Sequence, residues 1–398
     1  MSRISSLIAL LLAVALLLTG CWNRRELNDL SIVAGLGIDK RKDKYLLTVQ
    51  VVDPGEVAAR KGASGRSPVT TYSATGATMF EAVRKMTTVT SRKLYFSHLR
   101  IIVIGEELAK EGIAETIDLW SRDPETRTDF YLLVARGTKA QKVLEVLTPM
   151  EKIPANKLMA SLEVSEKAWA PTVSIQLDEL ISDIVSEGKE PVLTGVSILG
   201  NQEEGTKMDN VQTPNPAVNL SYKGIAVFKE DKLVGWLNTE ESKGYSDLTD
   251  KLDSTILEVA CPEGGKLAVE IIRAKTKVKG KLRNGEPEVD VAIRSEANVG
   301  DVECRIDLMH METIAYLEMK VEEAVKNHAG YALKKARKLK SDIFGFGEAI
   351  HRAAPKYWST HKQNWTEIFQ DLPVNMKVEV RIRRLGTIGD TFINKMKE

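Results

Sequence analysis

Apolar and polar positions divide the chain into short elements of both kinds. Leu30 to Asp39 reads as an apolar strand broken by Gly35 and Gly37. Tyr45, Leu47, Val49 and Val51 alternate, which predicts a second strand across the turn at 40–44. Residues 53–67 are rich in Gly, Ala, Ser and Arg without period and read as a mobile loop; Val69 to Thr75 follows as a strand. Thr78 and Glu81 have capping-box spacing, and Met79, Ala82, Val83, Met86 and Val89 fall on one helical face. Leu99 to Ile104 is apolar but for Arg100 and unbroken from Ile101, the mark of a strand buried on both sides. Gly105 ends it. Helices follow from Glu106 and, past Gly112, through Ile113, Ile117 and Trp120 to a stop at Asp123-Pro124. Phe130 to Ala135 predicts a strand, Lys139 to Leu147 a helix, Leu177 to Ile184 a helix closed by Gly188, and Val192 to Leu199 a strand.

Residues 201–219 are polar, aperiodic and contain Gly205, Pro214 and Pro216, so the domain boundary is expected there. Beyond it a hairpin turns over Lys229-Glu230-Asp231, and Glu240 to Lys251 is helical. Thr255 to Ala260, Leu267 to Lys279 and Val289 to Asn298 are strands, with a turn signal at Asn284-Gly285 inside a longer loop. The apolar phase slips at Ile271-Ile272, which predicts a β-bulge. The longest helix spans about 308–343 on the stripe Val321, Val325, Ala329, Ala332, Ala336, Leu339 and Ile343, and Gly345 and Gly347 end it. A helix from Glu348 to Ala353 stops at Pro355, and Trp358 to Phe369 reads as helical. Met376, Val378, Val380 and Ile382 alternate with charged residues in a last strand, one face buried and one wet. The fold class is α+β with mixed and antiparallel sheets. The domains are a signal segment 1–20, an α+β region 21–200 of one or two subdomains, a linker 201–219, and an α+β domain 220–398.

The start of the chain adds an address. Arg3, an apolar run from Leu7 to Leu18 and the small pair Thr19-Gly20 make a secretory signal. The run falls well short of the roughly 20 residues that span a bilayer. A cysteine follows the small pair, the pattern of bacterial lipoproteins. Cys21 is therefore the expected lipid attachment site, with an S-diacylglycerol on its thiol and an N-palmitoyl group on the amino terminus that cleavage exposes. Several acyl chains hold a protein stably on a membrane where one does not. The remainder suits two or three domains of about 100–200 residues. A net charge of +1 gives no field that recruits nucleic acid.

Catalytic chemistry finds few footholds. His98, His310, His328, His351 and His361 have no His, Cys or acid at metal spacing and read as surface or cap residues. Gly35/Gly37 and Gly345/Gly347 do not extend to phosphate loops, and no Gly-x-Ser-x-Gly elbow occurs. Glu106/Glu107 and Asp123/Glu125 fit helix starts and turns better than an acid pair. No cofactor is expected, and the chain reads as a non-enzyme. Cys261 and Cys304 could form a disulfide, but small apolar packing residues are the favoured reading, since a chain this long needs no staple. The basic run Lys334-Lys335-x-Arg337-Lys338-x-Lys340 could meet anionic headgroups; a solvated helix face is favoured. Trp358 and Trp365 read as core.

Five ordered blocks carry a family resemblance. They are Cys21-Trp22-Asn23-Arg24-Arg25-Glu26-Leu27-Asn28-Asp29 with Val33 to Asp39, Phe96 to Arg100 with Ile104 to Glu107, Arg122 to Glu125, Lys232 to Leu237, and Asp342 to Gly347. Together they resemble the Ger(x)C spore-germination lipoproteins, the C subunits of nutrient germinant receptors, over essentially the full chain; Asn23 stands where Asp is usual. The resemblance implies an elongated multi-domain α+β ectodomain and a non-enzymatic subunit. It implies partnership with integral-membrane A-type and B-type subunits, and a lipid-anchored place on the outer face of the inner spore membrane. The competing readings are a solute-binding lipoprotein of a transporter, which wants two similar lobes, and a wall hydrolase, which lacks its catalytic set.

Overall fold

The computed structural model of the chain describes residues 3–8, 26–58 and 66–384. Cys21, the segment Leu18 to Cys21 around it and residues 22–25 of the first block lie outside them. So do residues 59–65 of the expected loop and the stretch after Arg384. Among the described residues no helix is long and apolar enough to cross a membrane.

Two sheets organise the fold, which is α+β as expected. The first contains β1 (Leu30–Arg41), β2 (Lys44–Val52), β3 (Val69–Gly76), β4 (Lys93–Tyr95), β5 (Ile101–Gly105), β6 (Tyr131–Ala135), β7 (Val192–Leu199), β8 (Asn219–Lys229) and β9 (Lys232–Leu237). Its order is β3-β2-β1-β5-β6-β7-β8-β9, with β4 beside the start of β1. The centre, β1-β5-β6-β7, is parallel, and antiparallel pairs close both flanks. Parallel strands need crossovers, and helices supply them on both faces. On one face α1 (Met79–Met86), α2 (Glu106–Glu111) and α3 (Ala114–Arg122) pack with Ile102, Ile104, Leu132 and Val134. On the other, α4 (Ala140–Glu145) and α5 (Pro154–Ala168) cover Ile101, Val103, Leu133 and Ala135. All five β5 residues are buried, as the continuous apolar run requires.

Gly35 and Gly37 do not break β1. A Cβ at Gly35 would lie 3.1 Å from Leu144 and 3.2 Å from Ala155, and one at Gly37 3.1 Å from Leu144. The glycines let α4 and α5 lie directly on the strand. The 15-residue helix α5 has no counterpart in the periodicity reading, because beyond its first residue, buried Pro154, the buried stripe is only Ala155, Leu158 and Leu162.

The polar segment 201–219 folds as two short helices, Gln202–Gly205 and Asp209–Gln212, and then enters β8. Buried Asn210 pins it: the side-chain amide donates to the Leu147 and Val218 carbonyls and accepts from Val218 N–H. The hairpin of β8 and β9 completes the first sheet, so that sheet runs on past the segment read as a linker.

The second sheet, β10-β11-β12-β13, contains β10 (Thr255–Ala260), β11 (Lys266–Arg283), β12 (Glu286–Val302) and β13 (Val374–Arg384). The register shifts between Ile271 and Arg273, at the expected bulge. β11 and β12 are longer than their periodicity suggests, and Asn284 and Gly285, both at positive φ, form a two-residue turn rather than part of a longer loop. α6 (Leu177–Val185) packs against α3 in the first half, and the helices of this half are α7 (Thr239–Leu248), α8 (Met311–Leu339), α9 (Phe346–Ala353), α10 (Pro355–His361) and α11 (Trp365–Asp371). α8 buries Val321, Val325, Ala329, Ala332 and Ala336 as the stripe predicts. It ends at Lys340, in the left-handed conformation, before the glycines are reached. Gly345 is instead the N-cap of α9, which stops at Ala353 before Pro355 as expected; Pro355 then opens α10, three residues ahead of the helical stretch expected from Trp358.

Cys261 and Cys304 form a disulfide, against the packing reading. Cys261 follows β10 and Cys304 follows β12, so the staple joins the two strand ends across β11. Alternation in three separate strands cannot fix which ends meet, which is why the pairing was not legible.

Candidate functional site

The ordered blocks come together at three places. The first is the carboxyl end of the parallel strands. Two residues before the end of β1 stands buried Asp39, whose Oδ1 accepts from Ala140 N–H and Oδ2 from Gln141 N–H, both at 2.8 Å. Lys139, the N-cap of α4, offers no side-chain cap, so a carboxylate from a strand a hundred residues earlier takes that task. Burial pushes the Asp39 carboxyl up, against the pull of the two N–H groups. Gly105, at the end of β5, has no room for a Cβ beside that carboxylate. Glu106, next in the chain, accepts from Gly137 N–H at 2.8 Å, pairs with Lys110 at 3.0 Å and receives the Trp236 indole N–H at 3.4 Å. Burial would raise its carboxyl; the Gly137 N–H and Lys110 hold it below the ordinary range. Arg136 lies 4.6 Å over the Trp236 ring. A cleft of about 450 Å³ opens here, lined by Asp39, Lys40, Glu106, Lys110, Lys139 and Gln202. Open α/β sheets bind ligands at this end of their strands. In this cleft Lys40 is held by Glu111 at 2.9 Å and Lys110 by Glu106.

The second place is a groove of about 650 Å³ between α1, β4 and the end of α3. Phe96 and Trp120 form its floor, ring centroids 5.1 Å apart. The block Phe96 to Arg100 meets the block Arg122 to Glu125 here. Ser97 Oγ donates to the Glu125 carbonyl, and Lys93 Nζ binds the Glu125 carboxylate at 2.6 Å. Phe80 and Arg84 form the opposite rim. At α1 the capping box is displaced by one residue: Thr78 caps Glu81 N–H, but Glu81 reaches back to Ala77 N–H.

The third place is the junction of the two sheets. Asp342 Oδ1 accepts from Phe344 and Phe346 N–H, each at 3.2 Å. Its Oδ2 accepts from Gly347 N–H at 2.8 Å and the Trp365 indole at 2.9 Å. Burial pushes this carboxyl up to about 6 although all four donors pull it down. The same loop grips the first half of the chain. Glu190 N–H donates to the Asp342 carbonyl at 2.9 Å, Glu348 N–H to the Gly188 carbonyl at 3.2 Å, and Ser341 Oγ to the Phe228 carbonyl at 2.6 Å. A Cβ at Gly188 would come within 2.6 Å of Glu348 N. Glu190, beside this contact, is pushed up to about 7 by burial. The Asp342 to Gly347 block is therefore a junction knot.

Sequence reading singled out neither Asp39, Asp342 nor Glu190. A strand that ends in a lone acid, and a lone acid before Phe344 and Phe346, were the available signals. Trp358 and Trp365 are core, as expected. The basic run is not uniformly solvated: Arg337 donates to the Leu372 carbonyl. The histidines are not gathered: His351 stacks on Trp358, His361 on Tyr357, and His328 is half-buried on α8. Among the described residues no group of three or more His, Cys, Asp or Glu is placed to hold a metal ion.

Two family profiles match the chain. The one described as "Spore germination protein N-terminal domain" covers residues 23–198, and "Spore germination B3/GerAC like, C-terminal" covers 223–386. Among curated proteins the chain is 34% identical over 409 residues to spore germination protein KC of Bacillus subtilis (strain 168), spanning 100% of both. It is 26% identical to spore germination protein B3 of the same organism, over 98% of this chain and 99% of that one. Among solved structures the GerBC protein matches with a TM-score of 0.52 at 19% identity, over 87% of this chain and 96% of that one.

Proposed function

The chain belongs to the B3/GerAC-like family of spore germination proteins, and on that premise we propose that it is a membrane-tethered, non-catalytic subunit of a spore nutrient germinant receptor. The observation that carries the reading is the end-to-end match to a germination protein, together with ordered blocks that begin directly beside Cys21. In this reading Cys21 carries the lipid, the rest of the chain lies on the outer face of the inner spore membrane, and its partners are integral-membrane A-type and B-type subunits. The Cys261–Cys304 disulfide supports a place outside the cytoplasm, since such bonds persist in oxidising compartments. The three block sites support a scaffold, because the polar groups of the blocks themselves mostly join elements of the fold.

Cys21→Ala is the test. The variant should leave the spore membrane fraction and lose the nutrient response together. A variant that leaves the membrane but germinates fully would refute the tether. Purification of the parent from spore membranes should bring down two polytopic proteins; recovery of the chain alone would count against the receptor assignment.

A further inference from the structure

The groove between α1 and β4 lies where the chain emerges from its N-terminal segment. Leu30 pairs with Lys93, Ser31 with Leu94 and Ile32 with Tyr95. Lys93 and Leu94 line the groove with Phe80, Arg84, Phe96 and Trp120. Only eight residues lie between Cys21 and Leu30, and a fully extended chain over that interval spans at most ~32 Å. The groove is thus held close to whatever surface holds Cys21.

The composition of its rim fits a bilayer surface. Phe80 on the rim is 54% exposed, and Val89, outside the groove lining but just past the end of α1, is 57% exposed. Exposed apolar side chains beside basic ones are the mark of interfacial contact. The charges that line the groove, and Lys85 and Arg92 beside it in the chain, sort cleanly. Lys85 is paired with Glu81, Lys93 with Glu125 and Arg122 with Asp118. Asp123 is spent on Glu125 N–H and Thr126 Oγ1. Two arginines are left over. Arg84 stacks on Phe80 at 4.9 Å, and exposed Arg92 makes no ion pair among the described residues. The buried Trp120 indole N–H, also without a partner among them, is an unspent donor in the groove lining.

We propose that Phe80, Arg84, Val89 and Arg92 form a docking face for the anionic bilayer in which the Cys21 lipid sits, so that the tether fixes orientation as well as location. The proposal rests on the lipoprotein reading. Mass spectrometry of the Cys21 peptide therefore comes first: an unmodified cysteine refutes that reading before any vesicle is made. The lipidated full chain carrying Val89→Cys is then labelled with an environment-sensitive fluorophore and reconstituted into vesicles containing a headgroup quencher. Phosphatidylglycerol vesicles should quench the label at least about threefold more than phosphatidylcholine vesicles, and high salt or Arg84→Glu/Arg92→Glu should remove the difference. Circular dichroism confirms that the charge-reversed chain is folded. Absence of quenching in lipidated chains, or quenching indifferent to both lipid charge and charge reversal, would overturn the proposal and leave the tether standing.

Discussion

The two sheets bury their strands differently, and the polar pins that hold them differ accordingly. The central strands of the first sheet are covered on both faces, and β5 has no exposed residue. The second sheet is covered on one face: β10 alternates buried and exposed along its whole length, and the outer face of β11 carries Arg273, Lys275, Lys277 and Lys279. Apolar burial contributes about 25 cal/mol per Å² of covered surface, so a two-sided strand gains more from packing alone. The first half adds the Asn210 side chain with three hydrogen bonds and, as its carboxylate pin, Asp39 with two accepted ones. The second half adds a disulfide and Asp342 with four. Where one face is bare, covalent and buried polar connections make up what packing does not supply.

The sharpest way to break this comparison is to remove both pins. Asp342→Ala strands three backbone N–H groups and an indole N–H in the core, each unsatisfied donor costing about 1–3 kcal/mol before relaxation. Urea denaturation should show a loss of at least about 4 kcal/mol, or an unfolded chain. Asp39→Ala strands two donors and should cost about half as much. Equal costs would mean that the number of bonds at each carboxylate does not set its worth.

The next effect concerns the staple. Cys261 and Cys304 are 43 residues apart, and closing a loop of that size stabilises a fold by about 2–4 kcal/mol. Cys261→Ser/Cys304→Ser should lower stability by that amount, and hydrogen exchange should speed up first in β10 and the end of β12. Uniform acceleration that includes β1 and β5 would show that the second sheet does not depend on the staple more than the first.

The same contrast explains what the sequence disclosed. Two-sided burial writes an unbroken apolar run, so Ile101 to Ile104 was legible as a buried strand. One-sided burial writes alternation, so β13 and the phase slip at Ile271-Ile272 were legible too. Contacts between distant residues write nothing periodic. Gly35 and Gly37 looked like interruptions because the helices they admit begin a hundred residues later. Asp39 looked like nothing more than the last residue of a strand because its partners are Ala140 and Gln141. α5 was silent because three small or medium apolar residues suffice where it lies flat on glycines. The block residues were legible as blocks, but only the fold shows that they serve junctions. Cys21, the residue with the clearest chemical reading, lies outside the described residues.

The smallest expected effect tests whether the junction, and not the strand ends, carries a response to pH. Glu190 is pushed from 4.5 up to about 7 by burial, with Asp342 and Glu230 raising it further, while Lys229 and the Glu230 N–H pull it down. Asp342 moves in the same direction, to about 6. A carboxyl raised in the folded state binds its proton more tightly there than in the unfolded chain. Its contribution is therefore full below about pH 4.5 and is lost as pH rises through about 7. Partial solvent access to Glu190 discounts the full linkage value to about 1–2 kcal/mol. Glu190→Gln cannot lose its proton, so the stability difference, parent minus variant, should fall by that amount between pH 5 and 8. Asp39→Asn isolates the corresponding response at the strand end, where two N–H donors oppose burial. A larger fall in the Asp39→Asn difference curve than in that of Glu190→Gln would place the pH response in the first sheet and reverse the comparison.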